Sequence, residues 1–159
     1  MNEERLAPEI LSRWGALATG YWPTDLANAS ALLNETLPEL NWAGFYLLGA
    51  DGTLCLGPFQ GRVACVEIAP GRGVCGRAVR ERRTLVVADV HEFPGHIACD
   101  ANSRSELVVP LLKGGEVWGV LDLDSPRVGR FTEADGRALE SLRDRLLSPW
   151  ARCPWLEAR

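Results

Sequence analysis

The sequence predicts an α+β fold: a central, largely antiparallel sheet of about six strands with helices packed against it. Three observations carry that expectation. Apolar residues recur every three or four positions towards both ends of the chain, the mark of amphipathic helices. Between these stretches, short apolar and aromatic runs are separated by glycine-containing turns tight enough for hairpins. The 159 residues suffice for one well-filled core, and not for two.

A first helix is expected over residues 8–17, with Ile10, Leu11 and Trp14 on its apolar side. Tyr21, Trp22 and Pro23 break it. Thr24 or Asp25 then caps a second helix running to about Leu37, with Leu26, Ala29 and Leu33 in its apolar stripe. Residues 41–48 and 54–59 read as two strands joined by a turn at Gly52. Residues 62–68 read as a third. Its alternation sets Ala64, Val66 and Ile68 on a core face, and Cys65 with Val63 and Glu67 on the other. After the glycines at 71 and 73, residues 74–82 form a short helix. A small strand, 84–87, leads into an irregular stretch, 89–103. Strands 106–112 and 117–124 flank Gly114 and Gly115. Thr132 caps a last helix, 133–147, with Glu133 and Asp135 at its positive end. The expected organisation is one domain, 1–148, and a tail, 149–159, which Trp150 and Trp155 are suited to fold back.

Composition narrows the function classes. The formal net charge is −4, which argues against a nucleic-acid partner. Lys113 is the sole lysine, and Arg80, Arg82 and Arg83 read as a solvated helix end. No apolar run is long enough to cross a bilayer, and the acidic N-terminus does not read as a secretory signal. The cytoplasm is the expected compartment.

Five cysteines, an odd number, argue against a structural disulfide framework in such a setting. They are buried hydrophobes, metal ligands or reactive thiols. Cys55, between two leucines, reads as a small hydrophobe, and Cys153 as incidental to chemistry. Cys75 follows Gly71-Arg-Gly-Val at a helix start, where unpaired N–H groups favour a thiolate or a polarised oxygen. Cys99 shares the irregular stretch with both histidines, His91 and His96, a density typical of active-site loops. Cys65, Cys75, Cys99, His91 and His96 are all zinc-ligand types. Their spacings are unlike those of zinc fingers, so no metal or other cofactor is expected. Glu106 and the alternating Asp122 and Asp124 face either solvent or a polar pocket. There a carboxyl binds an ammonium group or holds a proton at raised pKa. Trp42 and Tyr46 share a strand face, as core or as pocket wall.

With these residues assembled, the chain resembles the free methionine-(R)-sulfoxide reductases, single-domain proteins of the GAF fold. The resemblance spans roughly residues 10–146. It rests on Asn41-Trp-Ala-Gly-Phe-Tyr46, Gly61-Arg-Val-Ala-Cys65, Gly71-Arg-Gly-Val-Cys-Gly76, the segment 89–100, Ser105-Glu106 and Gly119-Val-Leu-Asp-Leu-Asp-Ser125. It implies reduction of the free amino acid's sulfoxide, with thioredoxin as reductant. Cys99 is then the nucleophile, Cys65 the main resolving thiol, and Cys75 an alternative partner near the substrate. Glu106 and Asp124, with Asp122 nearby, bind substrate and support proton transfer. Trp42 and Tyr46 enclose its methyl end. A homodimer is compatible with the fold. The competing expectation is a GAF-type small-ligand or redox sensor without turnover.

Overall fold

A computed structural model describes residues 3–156. In chain order the elements are α1 (Glu3–Leu17), α2 (Trp22–Thr36), β1 (Trp42–Leu48), β2 (Leu54–Gly61), β3 (Glu67–Ile68), α3 (Gly73–Glu81), β4 (Leu85–Val87), a 3-10 turn (Val90–Glu92), β5 (Ser105–Lys113), β6 (Glu116–Ser125) and α4 (Glu133–Leu147). The strands form one antiparallel sheet in the order β3-β2-β1-β6-β5-β4. The expected α+β architecture of six strands and covering helices is the one observed.

The two-residue period of the strands separates the sheet into two faces. Ala43, Phe45, Leu107, Val109, Leu121 and Leu123 point to one side, where they join Leu26 and Leu33 of α2 and Leu139 and Leu142 of α4 in the main core. Trp42, Tyr46, Val108 and Val120 point to the other, against Val74, Cys75 and Ala78 of α3. The second face carries the polar residues described below.

Several boundaries differ from expectation. Helix α1 begins at Glu3, and Pro8 lies inside it. Helix α2 begins at Trp22, because Pro23 in its first turn needs no N–H and its fixed φ suits a helix start. Neither Thr24 nor Asp25 is the N-cap. Asp25 instead reaches back, and its carboxylate accepts bonds from Thr19 N, Thr19 Oγ1 and Gly20 N at 2.9, 2.6 and 2.9 Å.

The expected third strand shrinks to Glu67–Ile68. Side chains take carbonyls that a ladder would have used. Trp42 Nε1 donates to Arg62 O at 3.2 Å, and Tyr46 Oη donates to Cys65 O at 2.9 Å. Ile68 is buried as expected, but Val66 is 75 % exposed. Cys65 thus lies in a loop and shares no strand face with Glu67.

At the far end, Thr132 and Asp135 form a reciprocal capping box on α4, at 3.2 and 2.9 Å. Trp155 is buried in the main core, and its indole N–H donates to Trp118 O at 3.0 Å. Lys113 closes the opposite end of α4. Its ammonium donates to Leu147 O at 2.7 Å, to Ser148 O at 3.3 Å and to Trp150 O, and sits 5.8 Å from the centre of the Trp118 ring. Lys113→Met keeps the aliphatic stem and removes the charged donor. It is expected to cost about 2 kcal/mol, read as a lower urea midpoint with unchanged slope.

Candidate active site

The glycines of the segment 71–76 explain how α3 meets the sheet. Gly71 and Gly73 have φ of +72° and +64°, and a Cβ on Gly76 would lie 2.5 Å from Gly71 C. The turn therefore folds tightly under the first turn of α3 and directs Cys75 at the sheet. Its Sγ lies 4.0 Å from Glu106 Oε1 in a fully buried setting.

Strand register assembles the acids. Glu106 on β5 pairs directly with Asp124 on β6, and Asp122 lies two residues along the same face. Trp42 is the β1 neighbour of Asp124, and Gly44 that of Asp122. Only glycine fits at 44: an added Cβ would meet Phe59 Cβ at 2.3 Å and the Trp42 ring at 2.9 Å. That close approach lets Trp42 stack between Phe59 and Tyr46, with ring centres 5.3 and 5.8 Å apart. Glu106, Asp122, Asp124, Trp42, Tyr46 and Cys75 all line one pocket, together with Cys99, His96, Ile97, Asp100 and Ser103. Of the two readings of the aspartate face, solvent or polar pocket, the pocket is the one observed.

The other walls come from two loops. Cys65 and Cys99 are joined as a disulfide, with Cα atoms 5.5 Å apart. The bond ties the loop between β2 and β3 to the irregular stretch before β5. Asn41 Nδ2 secures that stretch by donating to Asp100 Oδ2 at 3.1 Å and Ser103 Oγ at 3.0 Å. Sequence reasoning missed these three anchors. All three lie inside the family-like segments or the irregular stretch, but nothing in their spacing singles them out.

Burial governs the site's electrostatics. It pushes Glu106 and Asp124 well above the usual carboxyl range, and Asp122 adds to both shifts. Asp122 rises to about 6, because hydrogen bonds from Glu106 and Cys75 partly offset its burial. Of the three carboxyls, Asp122 is thus the one most readily ionised, between two acids whose burial favours the protonated form. Asp122 Oδ1 is buried and accepts no hydrogen bond. Burial also pushes up the Tyr46 phenol and the Cys75 thiol, again with Asp122 contributing. The thiolate expected of Cys75 is therefore not favoured: burial first, and the carboxyls after it, oppose the charged form. His96 Nε2 lies 3.7 Å from Glu106 Oε2. Burial lowers its pKa, so the contact joins two neutral groups.

Of the two histidines in the polar stretch, one falls outside the site, as do the two cysteines read as peripheral. His91 is exposed, 3.1 Å from Asp89 Oδ1. Cys55 is half-buried beyond the pocket lining, and Cys153 is buried in the main core. The zinc-ligand set considered above is not assembled, since two of its cysteines share the disulfide and His91 is elsewhere. Among the described residues, Cys75, Glu106 and Asp122 are the cluster whose donor atoms lie within 4.8 Å of one another. With thiol and acid protonated, it is a hydrogen-bonded group around Asp122.

Comparison with known proteins agrees with this geometry. Residues 26–146 match the GAF domain model. The chain is 51 % identical over 144 residues to the free methionine-R-sulfoxide reductase of Escherichia coli, covering 89 % of this chain and 87 % of that one. It is 41 % identical over 151 residues to the Saccharomyces cerevisiae protein of the same name, covering 89 % and 84 %. It also superposes with a TM-score of 0.84 on the free methionine-R-sulfoxide reductase of Neisseria meningitidis, solved in complex with its substrate. That match has 41 % identity and covers 98 % of this chain and 89 % of that one. A disulfide beside a pocket floored by buried carboxyls, in a chain this similar to these enzymes, places the protein in the GAF-domain family of free methionine-R-sulfoxide reductases.

Proposed function

We propose that the chain reduces free L-methionine-(R)-sulfoxide to L-methionine. The observation that carries this reading is Asp122 Oδ1, a buried acceptor without a partner, in the pocket that the Cys65–Cys99 disulfide overlooks. A buried anion with an open lone pair is suited to an ammonium group. A free amino acid has one, whereas a methionine inside a peptide does not. Trp42 and Tyr46 supply a flat apolar wall for the methyl end.

In the reduced protein the Cys99 thiolate attacks the sulfoxide sulfur. The oxygen accepts a proton from Glu106, with Asp124 beside it, as the S–O bond breaks. The hydroxyl passes from the methionine sulfur to Cys99 Sγ as the bond between the two sulfurs breaks, so methionine leaves and Cys99 is a sulfenic acid. The Cys65 thiol displaces that oxygen as water and forms the disulfide. A dithiol, thioredoxin in this reading, returns two electrons and two protons. Cys75, held as a thiol, serves as a hydrogen-bond donor to the floor and as a reserve resolving partner. The catalytic unit is residues 1–148 with the tail folded on it. It works in the cytoplasm, alone or as a homodimer.

The test supplies free methionine-(R)-sulfoxide, thioredoxin, thioredoxin reductase and NADPH. One NADPH should be consumed per methionine formed, with the (S) epimer and peptide-embedded sulfoxide left untouched. No methionine from the free (R) epimer would refute the activity. Equal rates on the peptide would refute the role given to Asp122.

A further inference from the structure

Among the described residues, Val63 and Val66 are the most exposed of the large apolar side chains, at 89 % and 75 %. Both lie within two residues of Cys65. Their exposure is imposed from below: Trp42 holds Arg62 O, Tyr46 holds Cys65 O, and Leu56 N donates to Val66 O at 2.9 Å. The loop's backbone is pinned to the sheet, which holds Val66 in solvent and Val63 at the rim of the pocket. Apolar side chains held in solvent beside a redox-active bond mark a contact surface.

The disulfide has two sides, and they differ in charge. Its inner side faces the pocket, where the Asp122 carboxylate disfavours a second anion such as an incoming thiolate. Val66 lies beyond the pocket lining, and Val63 stands at the pocket's rim. We propose that the loop 62–66 is the docking surface for a protein dithiol reductase, which attacks Cys65 Sγ from outside. The proposal rests on the reading above in taking Cys65–Cys99 as the bond to be recycled. A small thiol has little use for an apolar platform, whereas a protein presenting its cysteine pair from an apolar surface gains contact area from it.

The exchange balances as follows. A reductase thiolate bonds to Cys65 Sγ, and the Cys65–Cys99 bond breaks, releasing Cys99 as a thiolate. The reductase's second thiol, deprotonated, then attacks its own partner sulfur and releases Cys65. The reductase leaves as a disulfide, having given up two electrons, and the protein regains two thiols. Attack at this sulfur frees the nucleophile first.

The test follows reduction of the oxidised protein alone, without sulfoxide, so its outcome is independent of substrate turnover. Val63 also reaches the pocket lining, so the variant is Val66→Asp, with the exposed Val128→Asp as control. Reduced thioredoxin should act on Val66→Asp about tenfold more slowly. Val128→Asp should be unaffected, and dithiothreitol should reduce all three proteins at one rate. With a single-cysteine thioredoxin, acid quenching and alkylation should place the adduct on Cys65 and the alkyl group on Cys99. An unchanged rate for Val66→Asp overturns the proposal, as does an adduct on Cys99. Equal slowing with dithiothreitol also counts against it, since the valine would then shape the disulfide itself. A dimer that Val66→Asp splits would assign the surface to a second copy and equally overturn it.

Discussion

Cys99→Ser is expected to lower turnover of free methionine-(R)-sulfoxide by at least about a thousandfold. A serine hydroxyl has no thiolate's affinity for sulfur, and neither Cys65 nor Cys75 replaces it. Cys65 lies across the disulfide in the loop 62–66, and Cys75 is held protonated against Glu106 and Asp122. Cys65→Ser should behave differently. Its first turnover should proceed, giving about one methionine per chain and a sulfenic acid that a dimedone-type reagent captures. Cycling with thioredoxin should then slow sharply. Rapid-quench measurement of methionine separates the two variants. A full-rate steady state in Cys99→Ser would remove that residue from the mechanism.

Glu106→Gln is the second large effect. The amide keeps the shape and the contacts but cannot give up a proton at useful pH, so kcat should fall by about a hundredfold or more. The pH profile gives the more specific check. Asp122 must be ionised to hold an ammonium, so kcat/KM should rise through about pH 6 as it loses its proton. At high pH the rate should fall as Glu106 loses its own, and that alkaline limb should vanish in Glu106→Gln. Stability has the opposite dependence. The folded pKa of Asp122 is raised, so the native state binds more protons than the unfolded chain between the two values. Its contribution to stability is therefore complete below about pH 4 and is lost as pH rises through about 6. Asp122→Asn should flatten that part of the stability curve, read from urea midpoints at pH 4.5 and 7.5.

What could be read from the chain in advance followed from local pattern. The alternation of Asp122 and Asp124 with Leu121 and Leu123 placed the acids opposite the core, and Thr132 with Asp135 marked the start of α4. What failed depended on partners distant in sequence. Residues 62–68 alternate like a strand, but Trp42 and Tyr46, about twenty positions earlier, claim two of its carbonyls. His91 and His96 looked equivalent in the same polar stretch. The 3-10 turn at Val90–Glu92 leaves His91 in solvent beside Asp89, and His96 reaches the pocket. Cys75 had the helix start of an activated thiol, and only the strand register revealed three carboxyls beneath it.

The bond between Cys65 and Cys99 spans 34 positions of sequence. Closing a loop of that size restricts the unfolded chain by about 4 kcal/mol on the chain-entropy view. The chemistry that consumes a sulfoxide therefore also changes how firmly the chain is folded. In the proposed cycle each turnover passes from a looser, reduced molecule to a stapled one and back. When reductant runs short, molecules accumulate in the form that best resists unfolding and proteolysis. On that cycle, the form that waits for reductant is also the more firmly folded one.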